Sequence, residues 1–125
     1  MLKETRTETQ YEPLLMSVVE QLREKGYDEI KADLPEYDKP AKLMRKDSSE
    51  YYIPDLTASK NGRKYYVEIA KKTEDRLKVI GKWKLLSTLS DMKNGRFTVF
   101  VPHGSMKFTN DIIKNYDITA TIQKL

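Results

Sequence analysis

Ile53-Pro54-Asp55-Leu56-Thr57-Ala58-Ser59-Lys60-Asn61-Gly62-Arg63-Lys64-Tyr65-Tyr66-Val67-Glu68-Ile69 is the stretch whose reading decides the fold. Two β-rich runs, Tyr51 to Ser59 and Lys64 to Lys71, flank Asn61-Gly62, the strongest short hairpin signal a sequence can carry. A two-residue turn there puts Lys60 opposite Arg63, and counting outward puts Asp55 opposite Glu68. Directly opposed side chains have β-carbons about 4.5–5.5 Å apart. Two carboxylates therefore share one small space. Like charges so placed destabilise a sheet, and one of them is driven to hold a proton unless a cation lies between them.

The same register sorts the hairpin into two faces. Tyr52, Pro54, Leu56 and Ala58 fall beside Tyr65, Val67 and Ile69, a face expected to pack against a helix. Ile53, Asp55, Thr57 and Ser59 fall beside Tyr66, Glu68 and Ala70, a mixed face expected to line a partly open cleft. Hard divalent ions such as Mg²⁺ take one or two protein carboxylates and complete their shell with water and phosphate oxygens. Such an ion lowers the pKa of an attacking water and neutralises charge on a phosphodiester, so the chemistry the pair suggests is metal-assisted hydrolysis. The plainer alternative is that both acids are ordinary polar residues on a solvated sheet face.

Upstream, a 3.6-residue apolar period through Tyr11, Leu14, Leu15, Val18, Val19 and Leu22 predicts a helix ending at Gly26. Thr9-x-x-Glu12 reads as a capping box, whereas Pro13 favours the first turn, and the start stays open between them. Asp28 to Leu34 is expected as a strand. Pro35 to Glu50 reads as loop, in which a short strand at Ala41 to Arg45 is undecided. Downstream come a helix from about Glu74 to Lys93, a buried strand at Phe97 to Val101, a helix from about Met106 to Asn115 and a strand from about Ile118 to Ile122. The order is αβββαβαβ, or αββαβαβ without the first strand.

The chain of 125 residues is the size of one domain. It has no apolar run near the roughly 18 residues a membrane span needs, and Met1 to Arg6 lacks a secretory apolar stretch. A cytoplasmic protein with no membrane partner is the default expectation. Without cysteine, thiol catalysis and thiolate metal sites are excluded, and His103, the single histidine, cannot build an imidazole cluster. The net charge of +4 is unevenly spread, at −4 over residues 1–59, +6 over residues 60–84 and +2 over residues 85–125. The basic middle can attract phosphates, although lysine-rich solvated helix faces are common.

At Ile53-Pro54-Asp55 and Tyr66-Val67-Glu68-Ile69 the chain resembles the PD-(D/E)XK nuclease superfamily, including Holliday-junction resolvases and RecB-type nucleases. The element order agrees over nearly the whole length. The resemblance implies a single α/β domain over residues 1–125, with a restriction-endonuclease-like core of mixed central sheet flanked by helices. It implies a Mg²⁺- or Mn²⁺-dependent endonuclease or resolvase-like enzyme acting on DNA, with Asp55 and Glu68 as metal ligands and Glu12 matching a glutamate of the first helix. A capping-box role is the commoner explanation of a glutamate at position 12. The alternative function is a catalytically inactive protein of this fold that binds nucleic acid or a protein partner. A minimal core would call on a homodimer or a larger complex to select its target.

The chain departs from the pattern at Ala70, where the superfamily places its lysine. Lys71 follows at once, but strand alternation turns it to the opposite face unless a bulge rotates it back. Lys72 has the right face yet lies ~13 Å along the strand from Glu68, at about 3.3 Å per residue. Some members carry the lysine on the following helix, and Lys82 falls there within the stripe of Val79, Trp83, Leu86 and Leu89. Lys82 can snorkel or reach the cleft, provided Gly81 does not break the helix. The candidates for catalysis are thus Asp55, Glu68, Lys82 and Lys71. Those for contact with the DNA backbone are Lys60, Arg63, Lys64 and Lys72. Trp83 is read as core.

Overall fold

The computed structural model describes residues 2–44, 49–71, 73 and 75–125, with residues 2–10 described by backbone alone. The elements run α1 (Leu2–Glu24), β1 (Asp28–Ala32), β2 (Leu43–Met44), β3 (Tyr51–Tyr52), β4 (Leu56–Lys60), β5 (Arg63–Ile69), α2 (Arg76–Met92), β6 (Arg96–Val101), α3 (Met106–Asn115) and β7 (Thr121–Lys124). Asn61 and Gly62 both adopt positive φ, 53° and 79°, as a primed hairpin turn requires. The register is the expected one, from Lys60 opposite Arg63 to Leu56 opposite Val67.

The hairpin sits in a five-stranded mixed sheet of order β1-β4-β5-β6-β7. β1, β4 and β5 are antiparallel neighbours, and β6 and β7 continue the sheet in parallel with β5. β5 is therefore flanked by one antiparallel and one parallel strand. The crossovers that a parallel arrangement demands are supplied by α2 and α3.

On one side of the sheet, Leu15, Val18, Val19 and Leu22 of α1 pack on Leu56, Ala58, Val67 and Ile69, the helix-packing face expected of the hairpin. On the other side, Ile80, Trp83 and Leu86 of α2 and Phe108 and Ile112 of α3 pack on Tyr66, Phe97, Val99 and Val101. The sheet is thus covered by helices on both faces. The second hairpin face is consequently not the mixed, open surface expected from its polar letters. Thr57 and Tyr66 are buried, Tyr66 within the cluster that α2 and α3 complete, while Asp55 and Glu68 line a pocket at the end of the hairpin.

Among the described residues five strands, not three, precede α2, and three departures from the expected boundaries exceed two residues. α1 begins at Leu2, upstream of both candidate starts, and contains Pro13; the helix passes through a residue with no N–H to donate. The run from Tyr51 to Ser59 is two strands, because Pro54 cannot donate to a ladder and Asp55 forms a bend. β3 pairs with β2, realising the undecided strand, and the Tyr52 hydroxyl reaches Gly81 of α2. Tyr52 thus leaves the face shared by Leu56 and Ala58. The last strand starts three residues late, at Thr121, because Asp117 turns with φ 52° and Ile118 is used in the core.

Gly26, with φ 89°, ends α1 as expected; its N–H bonds Arg23 O and the Tyr27 N–H bonds Leu22 O. Gly81 does not break α2, which starts with the Asp75 side chain accepting from the Lys78 N–H at 3.3 Å. Among the described residues no helix is long and apolar enough to cross a membrane.

Candidate functional site

Because the chain bends at Asp55, its groups bond with the end of β5 through side chains. The Asp55 N–H donates to Glu68 Oε2 at 2.8 Å, and the Ile69 N–H donates to Asp55 Oδ2 at 2.8 Å. Each acid thus accepts a backbone bond from the opposing strand, and both are nearly fully buried. The hairpin count that opposed Asp55 to Glu68 is realised as this exchange.

Three further donors converge. Lys82 Nζ, from the second turn of α2, lies 3.0 Å from Glu68 Oε2 and 3.8 Å from Asp55 Oδ1. Trp83 Nε1, on the next residue, donates to Glu68 Oε1 at 3.2 Å. From the opposite helical layer, the Tyr11 hydroxyl of α1 donates to Asp55 Oδ1 at 2.6 Å. Every oxygen of the two carboxylates accepts at least one hydrogen bond.

Burial, then the charge of Asp55, pushes the Glu68 carboxyl up to about 7, with Lys82 opposing. For Lys82 burial acts downward, but the charges of Glu68 and Asp55 outweigh it and hold the amine above its usual range. Burial and the neighbouring Asp55 charge push the Tyr11 phenol up, so it remains a donor at neutral pH.

The cluster opens onto a pocket of ≈ 370 Å³, where Lys71, Lys78 and Lys82 face Asp55, Glu68 and Asp75. Lys71 lies beyond the end of β5, and no bulge returns it to the acids. It is exposed, with its ammonium 3.8 Å from the centroid of the Tyr11 ring. Among the described residues Lys82 is the one amine in ion-pair range of Asp55 and Glu68.

Other candidates lie elsewhere. Glu12 is exposed on α1, and among the described residues no three His, Cys, Asp or Glu side chains converge. The residue that α1 brings to the pair is its neighbour, Tyr11. Lys60, Arg63 and Lys64 surround the hairpin tip, with Lys64 ~13 Å along β5 from Glu68 at about 3.3 Å per residue. Lys60 caps the Tyr27 ring at 4.9 Å, while burial, helped by Lys31 and Lys93, lowers the Lys64 amine. These tip residues do not line the pocket. Lys72 lies outside the described residues.

Tyr11, Trp83 and Lys78 were absent from the sequence-derived site. Tyr11 and Trp83 fall on apolar stripes and read as core, but each carries a donor that seeks a partner when buried. Lys78 stands four residues before Lys82, the spacing that places two side chains on one helix face.

Comparison with protein-family models, curated proteins and solved structures found no match to this chain.

Proposed function

We propose that this chain is a metal-dependent nuclease with a restriction-endonuclease-like core, hydrolysing DNA phosphodiesters at the Asp55–Glu68 pair. The observation that carries the reading is the Lys82 amine, 3.0 Å from Glu68 and 3.8 Å from Asp55 at the wall of an open pocket. An amine from α2 thereby stands beside the acids although Ala70 occupies the position two residues after Glu68. The mixed sheet, with α1 on one face and α2 and α3 on the other, agrees with the architecture that the resemblance implies.

The donor set suits a hard divalent cation: two carboxylates converge on a single positive charge, and neither thiolate nor imidazole is present. Asp55 and Glu68 would hold Mg²⁺ or Mn²⁺, which supplies Lewis-acid stabilisation and a more acidic water. The protein's own groups then divide the remaining work. The Ile69 N–H, Tyr11 and Trp83 orient the carboxylates; Lys82 balances their charge; Lys71 and Lys78 offer ammonium groups to phosphate oxygens.

A second reading follows from the saturation of the four carboxylate oxygens by protein donors. In it the cluster is a clasp between both helical layers and the hairpin, in an inactive fold that binds nucleic acid or a protein. One assay separates the two: plasmid, branched and single-stranded DNA incubated with Mg²⁺ or Mn²⁺, beside an Asp55→Ala control. Cleavage that disappears in the variant supports the nuclease. No cleavage, together with no shift of melting temperature by either ion, overturns it.

A further inference from the structure

Asp55 is where the two helical layers meet around the end of the sheet. Lys82 and Trp83 approach the acid pair from α2, while Tyr11 approaches from α1, which packs on the sheet through Leu15, Val18, Val19 and Leu22. The two Asp55 oxygens have different partners: Oδ2 is tied to the Ile69 N–H, and Oδ1, the oxygen nearer the Lys82 ammonium, is tied to the Tyr11 hydroxyl. A carboxylate held at one oxygen can still rotate; held at both, it presents a fixed lone pair. The Tyr11 ring is restrained in turn by the Lys71 ammonium at 3.8 Å, a contact that also polarises the phenol toward donating.

We infer that Tyr11 is a positioning residue of the site: its hydroxyl fixes the Asp55 oxygen offered to the cation, and Lys71 holds its ring. This rests on the metal-site reading above. Groups that orient a metal ligand without touching the metal commonly change affinity by about 10- to 100-fold when removed. The sequence pattern hides the role, because Tyr11 occupies an apolar position of α1 and the acidic candidate beside it, Glu12, faces solvent.

The test uses Trp83, the single tryptophan, as its probe, since its indole N–H donates to Glu68. Mn²⁺ and Mg²⁺ are titrated into the wild type, Tyr11→Phe and Lys71→Met at pH 8, following tryptophan emission and confirming each isotherm by calorimetry. Melting curves without metal are recorded alongside. Tyr11→Phe keeps the ring and the cation contact but loses the donor, and is expected to bind about tenfold more weakly. Lys71→Met is expected to weaken binding less, in the same direction. Tyr11→Phe affinity within twofold of wild type overturns the inference even if the variant melts lower, because the hydroxyl is then only a packing contact. If Tyr11→Phe does not fold, Lys71→Met decides, and unchanged affinity in it overturns the inference. A wild type that shows no isotherm overturns the metal-site reading itself, an outcome distinct from a wild-type isotherm that the variants reproduce.

Discussion

Gly81 lies so close to Tyr52 that a methyl group on its α-carbon would stand 2.6 Å from the Tyr52 hydroxyl oxygen. Helix propensity alone makes Gly81→Ala stabilising, by up to about 1 kcal/mol. The contact reverses the sign. Tyr52 is buried and its hydroxyl also donates to Glu50 at 3.2 Å, so the ring cannot withdraw freely. Gly81→Ala is expected to destabilise by about 1–2 kcal/mol in urea denaturation. Adding Tyr52→Phe should restore most of the loss, since the next ring atom lies at an ordinary 3.5 Å.

Lys82 is the counter-charge of two buried acids, and Lys82→Met leaves them facing each other. The expected cost is about 3 kcal/mol at pH 8. It should shrink below pH 6, where Glu68 holds a proton and the repulsion is relieved. Urea denaturation at the two pH values measures both quantities. An equal loss at both would show that the amine contributes packing and not charge.

The raised Glu68 carboxyl makes stability fall as pH rises. Its usual value is 4.5 and its folded value about 7, so the folded state binds more protons between them. The contribution is complete below about pH 4.5 and is lost as pH climbs through 7, a change of ~3 kcal/mol at 1.36 kcal/mol per unit. Melting temperatures from pH 4.5 to 8 should decline in the wild type and decline less in Glu68→Gln. A saturating divalent cation should flatten the wild-type curve, because it binds the ionised pair.

Thr57 Oγ1 is buried without a hydrogen-bond partner among the described residues. Valine has nearly the same shape and no polar atom to strand. Thr57→Val is expected to stabilise by about 1 kcal/mol, read as a higher urea midpoint with an unchanged slope. A lower midpoint would mean that the hydroxyl does find a partner in solution.

Much of this site was legible because hairpin register is a local property: two residues with positive φ fix the pairing of ten others by counting. Lys82 was legible for a similar reason, since helical spacing places it between Leu86 and Leu89. The break at Pro54-Asp55 was not, because alternation of letters persists through a bend whose N–H has gone to a side chain. Tyr11 and Trp83 were hidden by amphipathic chemistry, a ring that packs as core and one polar atom that does not. The depth of burial on the second face was not legible, because Thr57 and Glu68 look solvated as letters and the residues that cover Tyr66 lie in α2 and α3, far along the chain.

The Tyr11 hydroxyl meets Asp55 across 44 positions of the chain, whereas the Asp55–Glu68 and Glu68–Trp83 bonds span 13 and 15. Closing the longer loop costs about 1 kcal/mol more chain entropy than closing either short one. The hairpin and α2 are therefore expected to associate first during folding, with α1 docking behind the transition state. In stopped-flow measurements Tyr11→Phe should then accelerate unfolding and leave refolding almost unchanged. The pair of acids would be brought together before the helix that orients them arrives, so that completion of the site and completion of folding become the same event.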